Sequence, residues 1–410
     1  MSAPRLLAIN NYFYRRGGAE AVFLDQMRMF SEIGWDVAPF AMRHPHNDPS
    51  PFSEHFVDEI EYGRESGPLT KAVQAAKIIY SFEARRKLRA LMDKAPPDVA
   101  HAHNVYHHIS PSIFDALKRA GVPTVMTAHD LKLACPAYKM LSHGRVCEKC
   151  KGGRVHNVLL NRCVKDSVAL SGLVLVETAT HRALGLYRDK VDRIVTPSRF
   201  YREKLIEWGW APEKLVHIPN FVDAAGMWSD WTEGDYFVFA GRLGHEKGLE
   251  TLVRAAAHSR SRVAIAGTGP EEAALKRLAE ELDAPVEFRG YMSGEPLARL
   301  IGESKALVLP SEWYENAPMS VLEAYGLGRP VVGAEIGGIP ELIREGETGF
   351  SARSGDAGDL ARAMTRMTEV GAAARARMGV AGRAWALEDF SPAAHRDRLL
   401  GLYRELGVAA

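Results

Sequence analysis

The sequence predicts an α/β protein built from two doubly wound parallel sheets. Three observations carry that prediction. Short apolar runs alternate with longer helical patterns, the rhythm of parallel strands covered on both faces. The runs form two series, 6–9, 99–101, 124–127, 193–196 and 215–218, then 236–240, 262–266, 286–289, 306–309 and 330–333. Between them, 218–232 carries Pro219, Asn220, Gly226 and Asp230, residues that punctuate rather than continue an element. A chain of 410 residues suits two or three units of roughly 150 residues each. The expected division is 1–218, 219–390 and a terminal segment 391–410. In that segment Leu399, Leu400, Tyr403 and Leu406 recur at spacings of three and four, which predicts a helix from Pro392 onward.

Composition narrows the class. A chain that is 46% hydrophobic and 25% charged can support large cores, which argues against disorder. Lys plus Arg is 52 against 51 Asp plus Glu, so the bulk charge does not suit a dedicated nucleic-acid binder. The 6–9 run reads as a buried strand rather than a leader peptide. No stretch approaches the roughly 20 apolar residues that span a bilayer. The expected compartment is the cytoplasm, where thiols stay reduced.

Segment 69–94 reads as one long helix with Lys71, Lys77, Arg85, Arg86, Lys87 and Arg89, together with Ile78, Ile79, Tyr80 and Phe82. It is either a solvated basic surface or a contact for a membrane surface or an anionic acceptor.

Several motifs fall where a parallel strand ends. Gly17, Gly18, Ala19 and Glu20 follow the first strand and open a helix, where free amides can meet an anion. The pattern is not GxGxxG, and Gly267-Thr268-Gly269 runs into Pro270, so neither place is a dinucleotide fingerprint. Gly241, Arg242, Lys247 and Gly248 follow strand 236–240, and two cations at a strand mouth suit a diphosphate. In the run from Glu315 to Glu323, Pro318 fits the first turn of a helix. That places one carboxylate before the helix and one in its second turn, able to reach different parts of a ligand. His129-Asp130 follows strand 124–127, with His101, His103, His107 and His108 nearby in the chain. No carboxylate or cysteine sits at tight ligand spacing beside them, so a cleft lining is expected rather than a metal.

The four cysteines, Cys135, Cys147, Cys150 and Cys163, fall in the pattern C-x11-C-x2-C-x12-C. In a reduced compartment the pattern reads as a closed structural zinc site before disulfides, an iron–sulfur cluster or unligated thiols. The Gly- and Lys-rich segment around them needs a staple.

Taken together these residues resemble the retaining glycosyltransferases of family 4, over nearly the whole chain. The markers are Gly17 to Glu20, His129-Asp130, Thr196-Pro197-Ser198, Ile218-Pro219-Asn220, Gly241-Arg242 with Lys247-Gly248, Gly267-Thr268-Gly269, and the Glu-x7-Glu of Glu315 and Glu323. The Cys-rich insertion, 135–163, resembles that of a subset of bacterial polysaccharide-building members. The resemblance implies a GT-B fold whose last helix crosses back to the first domain. It implies a UDP- or GDP-sugar donor and no catalytic divalent metal. It implies that Arg242 and Lys247 grip the diphosphate, Glu323 the ribose, and Glu315 the donor sugar. Asn316, Met319 and Ser320 would hold sugar or phosphate, with Gly17 and Gly18 approaching from the other domain. Gly267 and Tyr291 would flank the base, and His129 would sit by the transferred sugar. A glycan or lipid-linked acceptor at the inner face of a membrane is implied, and no nucleic acid. One departure is Asn316-Ala317-Pro318, where the family commonly has Gly or Phe. Two rival readings are a sugar-nucleotide epimerase of the same fold and a zinc-stabilised nucleic-acid-binding module.

Overall fold

The computed structural model describes residues 3–60 and 67–409. The first half of the chain supplies β1 (Arg5–Ile9), β2 (Asp36–Phe40), β3 (Val99–Ala102), β4 (Thr124–Thr127), two-residue strands β5 (Leu141–Ser142) and β6 (Arg145–Val146), β7 (Arg193–Thr196) and β8 (Leu215–His217). The second half supplies β9 (Phe237–Ala240), β10 (Val263–Ala266), β11 (Val286–Gly290), β12 (Leu307–Leu309), β13 (Val331–Ala334) and β14 (Gly349–Ala352). They form two six-stranded sheets, in the orders β2-β1-β3-β4-β7-β8 and β11-β10-β9-β12-β13-β14. Every pairing in both is parallel. The order in the second sheet is that of a doubly wound nucleotide-binding domain, and the predicted class is what the chain adopts.

The central strands are apolar because helices cover both faces. In the first domain one face carries Leu7, Ile9, Phe40, Phe114 and Met126. The opposite face carries Leu6, Phe23, Phe30 and Val195, and it is completed by Leu399, Leu402 and Tyr403 from the far end of the chain. Helix Pro392–Glu405 therefore crosses back. Ser391 caps it, its hydroxyl accepting from the Ala394 amide at 3.1 Å. The Tyr403 ring then lies 5.6 Å from Phe30 and 6.0 Å from Trp35. The second domain has one continuous core running from Val222 to Phe390.

Three features differ from the sequence reading. Strand β2 was not expected, because Pro39 lies in it; it is an edge strand, where a missing N–H costs no ladder bond. Strand β14 is the other unexpected edge, opened by Gly349.

The third is segment 69–94, which is two helices, Pro68–Ile79 and Phe82–Lys94, rather than one. The chain breaks at Tyr80-Ser81 because Ser81 caps the second helix through the Ala84 amide at 3.1 Å. Ser112 Oγ donates to the Ser81 carbonyl at 3.0 Å, which fixes the turn. The basic face is partly internally paired: Lys77 and Lys87 both meet Glu83 at 2.8 Å, and Arg85 stacks on Tyr80 at 5.3 Å. The side chains of Leu69 and Lys71 lie outside the described residues. No helix among the described residues is long and apolar enough to cross a membrane.

Candidate active site

The carboxyl ends of the two sheets face each other across a cleft of about 2050 Å³, open to solvent. The second domain contributes Gly241, Arg242 and Lys247 after β9, Gly267 to Gly269 after β10, Tyr291 after β11, and Trp313, Glu315, Met319, Ser320 and Glu323 after β12. The first contributes Arg16 to Ala19 after β1 and His129 after β4, and Asn220, just beyond β8 where the chain passes to the second domain, completes the lining. This is the crevice in which doubly wound sheets hold ligands.

Two glycines make the walls possible. At Gly267, φ is +144° and a Cβ would fall 1.8 Å from the Gly241 carbonyl oxygen, so only glycine lets the two loops abut. At Gly337, φ is +60° and a Cβ would lie 2.4 Å from the Glu315 carbonyl oxygen. That glycine forms the seat of the loop carrying Glu315.

The polar floor is a small network. Lys247 Nζ donates to Glu315 Oε1 at 2.7 Å, and Ser311 Oγ donates to the same oxygen at 2.8 Å. The ammonium also lies 5.3 Å from the Trp313 ring centroid. Glu315 is buried, so its charge is held in a low-dielectric setting by a cation and a hydroxyl. Arg242 pairs with buried Glu246 one helical turn on, while about half of its own side chain, 52%, stays exposed to the cleft.

Above this floor two helix N-termini meet. Helix Met319–Gly326 starts after Pro318 with no side-chain cap, which leaves the first amides open. Helix Gly18–Glu32 likewise lacks a side-chain cap at Gly17. A Cβ on Gly18 would sit 3.3 Å from Met319 Cγ, so glycine lets the two helix ends approach. Glu20 is buried there; burial raises its pKa, and bonds from its own amide and that of Gly17 oppose the rise. Glu323, half-buried, is raised by burial and pulled back by the Arg15 charge. Tyr291 stands at the Gly267 end of the cleft, 77% exposed.

His129 is the cleft end of a buried stack. Its Nε2 lies 2.8 Å from His103 Nδ1, the two rings are 5.1 Å apart and nearly parallel, and His103 stacks on His101 at 4.8 Å. The far end of the stack is held by Tyr403 OH, 2.6 Å from His101 Nδ1, and by Thr127 Oγ1, 2.7 Å from His101 Nε2. Burial, then the His395 charge, pushes His129 down to about 3. Burial likewise takes His101 to about 3 and His103 well below its usual value. All three are therefore neutral at neutral pH and act as hydrogen-bonding rings, not cations. Of the histidines expected to line the cleft, His129 does; His101 and His103 are fully buried because they sit on the central strand and the turn beneath it.

Asn316 lies apart from the lining. Its Nδ2 donates to the carbonyls of Ala128 at 2.9 Å and His129 at 3.0 Å, and its Oδ1 accepts from Ser198 Oγ at 2.7 Å. Ser311, Trp313 and Glu246 are part of the site and are not singled out by the sequence. Each is a single residue in a loop, with no spacing that marks it.

The Cys-rich insertion leans on loops of the second domain. Tyr314 OH donates to Glu148 at 2.9 Å, and the Gly144 turn packs so closely on His245 that a Cβ would lie 2.8 Å from its Nε2. The four cysteines are free thiols. Burial, and then the other three cysteines, pushes Cys150 up to about 12. Among the described residues, however, no three His, Cys, Asp or Glu side chains form a group that could hold a metal ion. The tetrahedral zinc the sequence suggests finds no support in this placement, and the apolar cluster beside the cysteines is small, with Ala137, Val158 and Val174 buried in it.

Residues 16–225 match the family model described as Glycosyltransferase Family 4, and 230–385 match that described as Glycosyl transferases group 1. The chain is 32% identical over 178 residues to the alpha-D-kanosaminyltransferase of Streptomyces kanamyceticus, covering 42% of this chain and 46% of that one. It is 32% identical over 188 residues to the amylovoran biosynthesis glycosyltransferase AmsK of Erwinia amylovora, again 42% and 46%. The matches thus span about half the length of these curated relatives. Among solved structures it resembles HepE of Anabaena in complex with UDP-glucose, with a TM-score of 0.66, 16% identity, and coverage of 98% of this chain and 99% of that one. That likeness concerns the fold.

Proposed function

The chain belongs to glycosyltransferase family 4, and from that premise we propose that it moves a hexose-type sugar from a UDP- or GDP-sugar to a glycan or lipid-linked acceptor during bacterial polysaccharide or lipopolysaccharide assembly, with retention at the anomeric carbon. The single observation that carries the reading is the Lys247–Glu315 pair at 2.7 Å beside Arg242, at the mouth of β9 in an interdomain cleft. The relatives' printed roles, amylovoran biosynthesis for one and kanosaminyl transfer for another, support the sugar-transfer reading and the polysaccharide setting. The UDP-glucose bound in HepE supports a nucleotide-sugar donor.

In this reading domain 1–218 receives the acceptor and domain 219–390 holds the donor, with 391–410 tying them together. The diphosphate lies against Arg242, Lys247 and the open amides at Met319 and Ser320. Gly17 and Gly18 let the first domain close on it. Glu323 takes the ribose hydroxyls, Gly267 and Tyr291 flank the base, and Glu315 takes the sugar hydroxyls. Breaking the bond from C1 to the phosphate oxygen sends its electron pair to the diphosphate. Arg242 and Lys247 stabilise that charge without reorganising, because Glu246 and Glu315 already hold them in place. The acceptor hydroxyl bonds to C1 on the face the phosphate leaves, and its proton passes to the departing phosphate oxygen. His129, neutral and held by His103, offers the sugar a hydrogen bond rather than a charge. Closure excludes the water that would hydrolyse the donor.

The test is calorimetry with UDP, GDP, ADP and NAD in the presence of EDTA, followed by product analysis with the matching sugar nucleotide. Micromolar binding of UDP or GDP and an α-linked product from an α-linked donor support the reading; binding of NAD alone overturns it. The membrane contact through 69–94 is tested by flotation with anionic vesicles. Zinc is tested by elemental analysis, where one equivalent per chain would mean that the thiols converge on metal binding.

A further inference from the structure

Glu315 sits in a loop whose neighbouring residues Tyr314 and Asn316 reach the opposite domain. Tyr314 OH donates to Glu148 of the insertion at 2.9 Å. The Ala317 carbonyl accepts from Asn220 Nδ2 at 3.3 Å. Asn316 reaches furthest, with two bonds to the Ala128 and His129 carbonyls and one from Ser198. Glu315 itself turns to its own domain, to Lys247 and Ser311.

We propose that Asn316 is a positioning residue that sets the separation between His129 and Glu315, and thereby couples closure of the cleft to sugar transfer. It adjoins Glu315 in the chain and is hydrogen-bonded to the His129 carbonyl, so one side chain ties together two groups that flank the reacting sugar. The assignment rests on the glycosyltransferase reading of the cleft. A primary amide is what these partners require: two carbonyls need two N–H donors, and the Ser198 hydroxyl needs an acceptor. The residue is 8% exposed, and these bonds occupy its amide, so little is left for a sugar. The same Ser198 hydroxyl caps helix Arg199–Glu207 by accepting from the Tyr201 amide at 3.1 Å, which anchors the loop to a rigid element. Opening the domains therefore either breaks the Asn316 bonds or drags the loop that holds Glu315 away from Lys247. In both cases the donor sugar is not held for transfer until the first domain has closed.

The variants are Asn316→Asp, Asn316→Ala and Ser198→Ala, each checked for an unchanged melting curve. Asn316→Asp keeps the shape but sets a carboxylate against two carbonyls. The expected result is that calorimetric Kd for the preferred nucleoside diphosphate stays within about twofold, while kcat for transfer falls about tenfold or more, as small displacements of reacting groups do. The fraction of donor lost to hydrolysis rises. Asn316→Asp is hit hardest and Ser198→Ala least. In small-angle scattering of the ligand-free protein, Asn316→Asp is more extended than the wild type. A nucleoside diphosphate Kd that weakens in step with kcat/KM would make Asn316 a donor ligand and overturn the proposal. So would unchanged kcat, hydrolysis and scattering. If the wild type binds no nucleoside diphosphate, the function reading fails by itself, and the scattering comparison still decides the role of Asn316.

Discussion

The two domains share a sheet architecture but build their halves of the cleft by different means. In the second, function lies on strand-end loops: Gly267 against Gly241, Arg242 with Glu246, Lys247 with Glu315. In the first, the chemistry reaching the cleft is the tip of a buried column, His129 on His103 on His101, anchored by Tyr403 from the end of the chain. The second domain's side is local and charged; the first domain's column is long-range and neutral. Mutations should therefore separate them, with activity failing first on one side and stability on the other.

The largest effect is expected on the donor side. Lys247→Ala should lower kcat by about 10³-fold, roughly 4 kcal/mol of transition-state stabilisation, with an unchanged melting temperature. Glu315→Ala should act similarly. Steady-state kinetics on either variant at wild-type levels would remove the Lys247–Glu315 pair from the mechanism. On the other side, Tyr403→Ala should cost about 3–5 kcal/mol of stability, because it empties a fully buried aromatic site and strips His101 of a partner. Urea melts read this directly, and a loss below 1 kcal/mol would mean the column stands without its anchor.

The histidine column also predicts acid sensitivity. His101 and His129 are pushed to about 3 when folded, whereas unfolded histidine titrates near 6.5. Below about 6.5 the unfolded chain binds protons that the fold refuses, so stability falls as pH drops toward 3, by about 1.4 kcal/mol per unit for each ring. Asp130, raised to about 6 by burial, works the other way over a shorter span. Urea midpoints at pH 7.5 and 5.0 check the sign, and a higher midpoint at pH 5.0 contradicts it. The smallest effect concerns the basic helix. Reversing exposed Arg86 should weaken binding to anionic vesicles by about fivefold, and half-buried Arg85, stacked on Tyr80, by less. No change would return the helix to a plain solvated surface.

How much could be read in advance follows the same divide. The expected runs 236–240, 262–266, 286–289, 306–309 and 330–333 each fall within a residue of β9 to β13; four of them are buried central strands that must be apolar, while β11 is an edge strand with Glu287 and Arg289 exposed. The edges β2 and β14 escaped because an edge strand tolerates Pro39 and Gly349, residues that argue against a central one. In the second domain, the sequence marks Arg242, Lys247 and Glu315 because charges follow a glycine at a strand end, and the fold brings the three together in one cleft. The histidine column is not, because His101 and His103 differ from ordinary core residues only in what lies above them, and that includes a tyrosine 302 positions away. Asn316 is the sharpest case. The sequence places it beside Glu315, and only the fold shows it engaged with the opposite domain. The break at Ser81 was available in principle, as a serine three residues ahead of a helical amide, but the basic run on both sides masked it.

The return of the last helix has a consequence for how the molecule is made. A ribosome releases the chain from its amino end, so the first sheet emerges with one flank bare. That flank, Leu6, Phe23 and Phe30, stays uncovered until Leu399 and Tyr403 have been synthesised, after the whole second domain. The second domain has no such debt, since its core closes within its own stretch of chain. Biogenesis should then run against the order of synthesis, with the later half maturing first and the earlier half waiting, its sticky flank in need of shelter, for a segment translated after that later half.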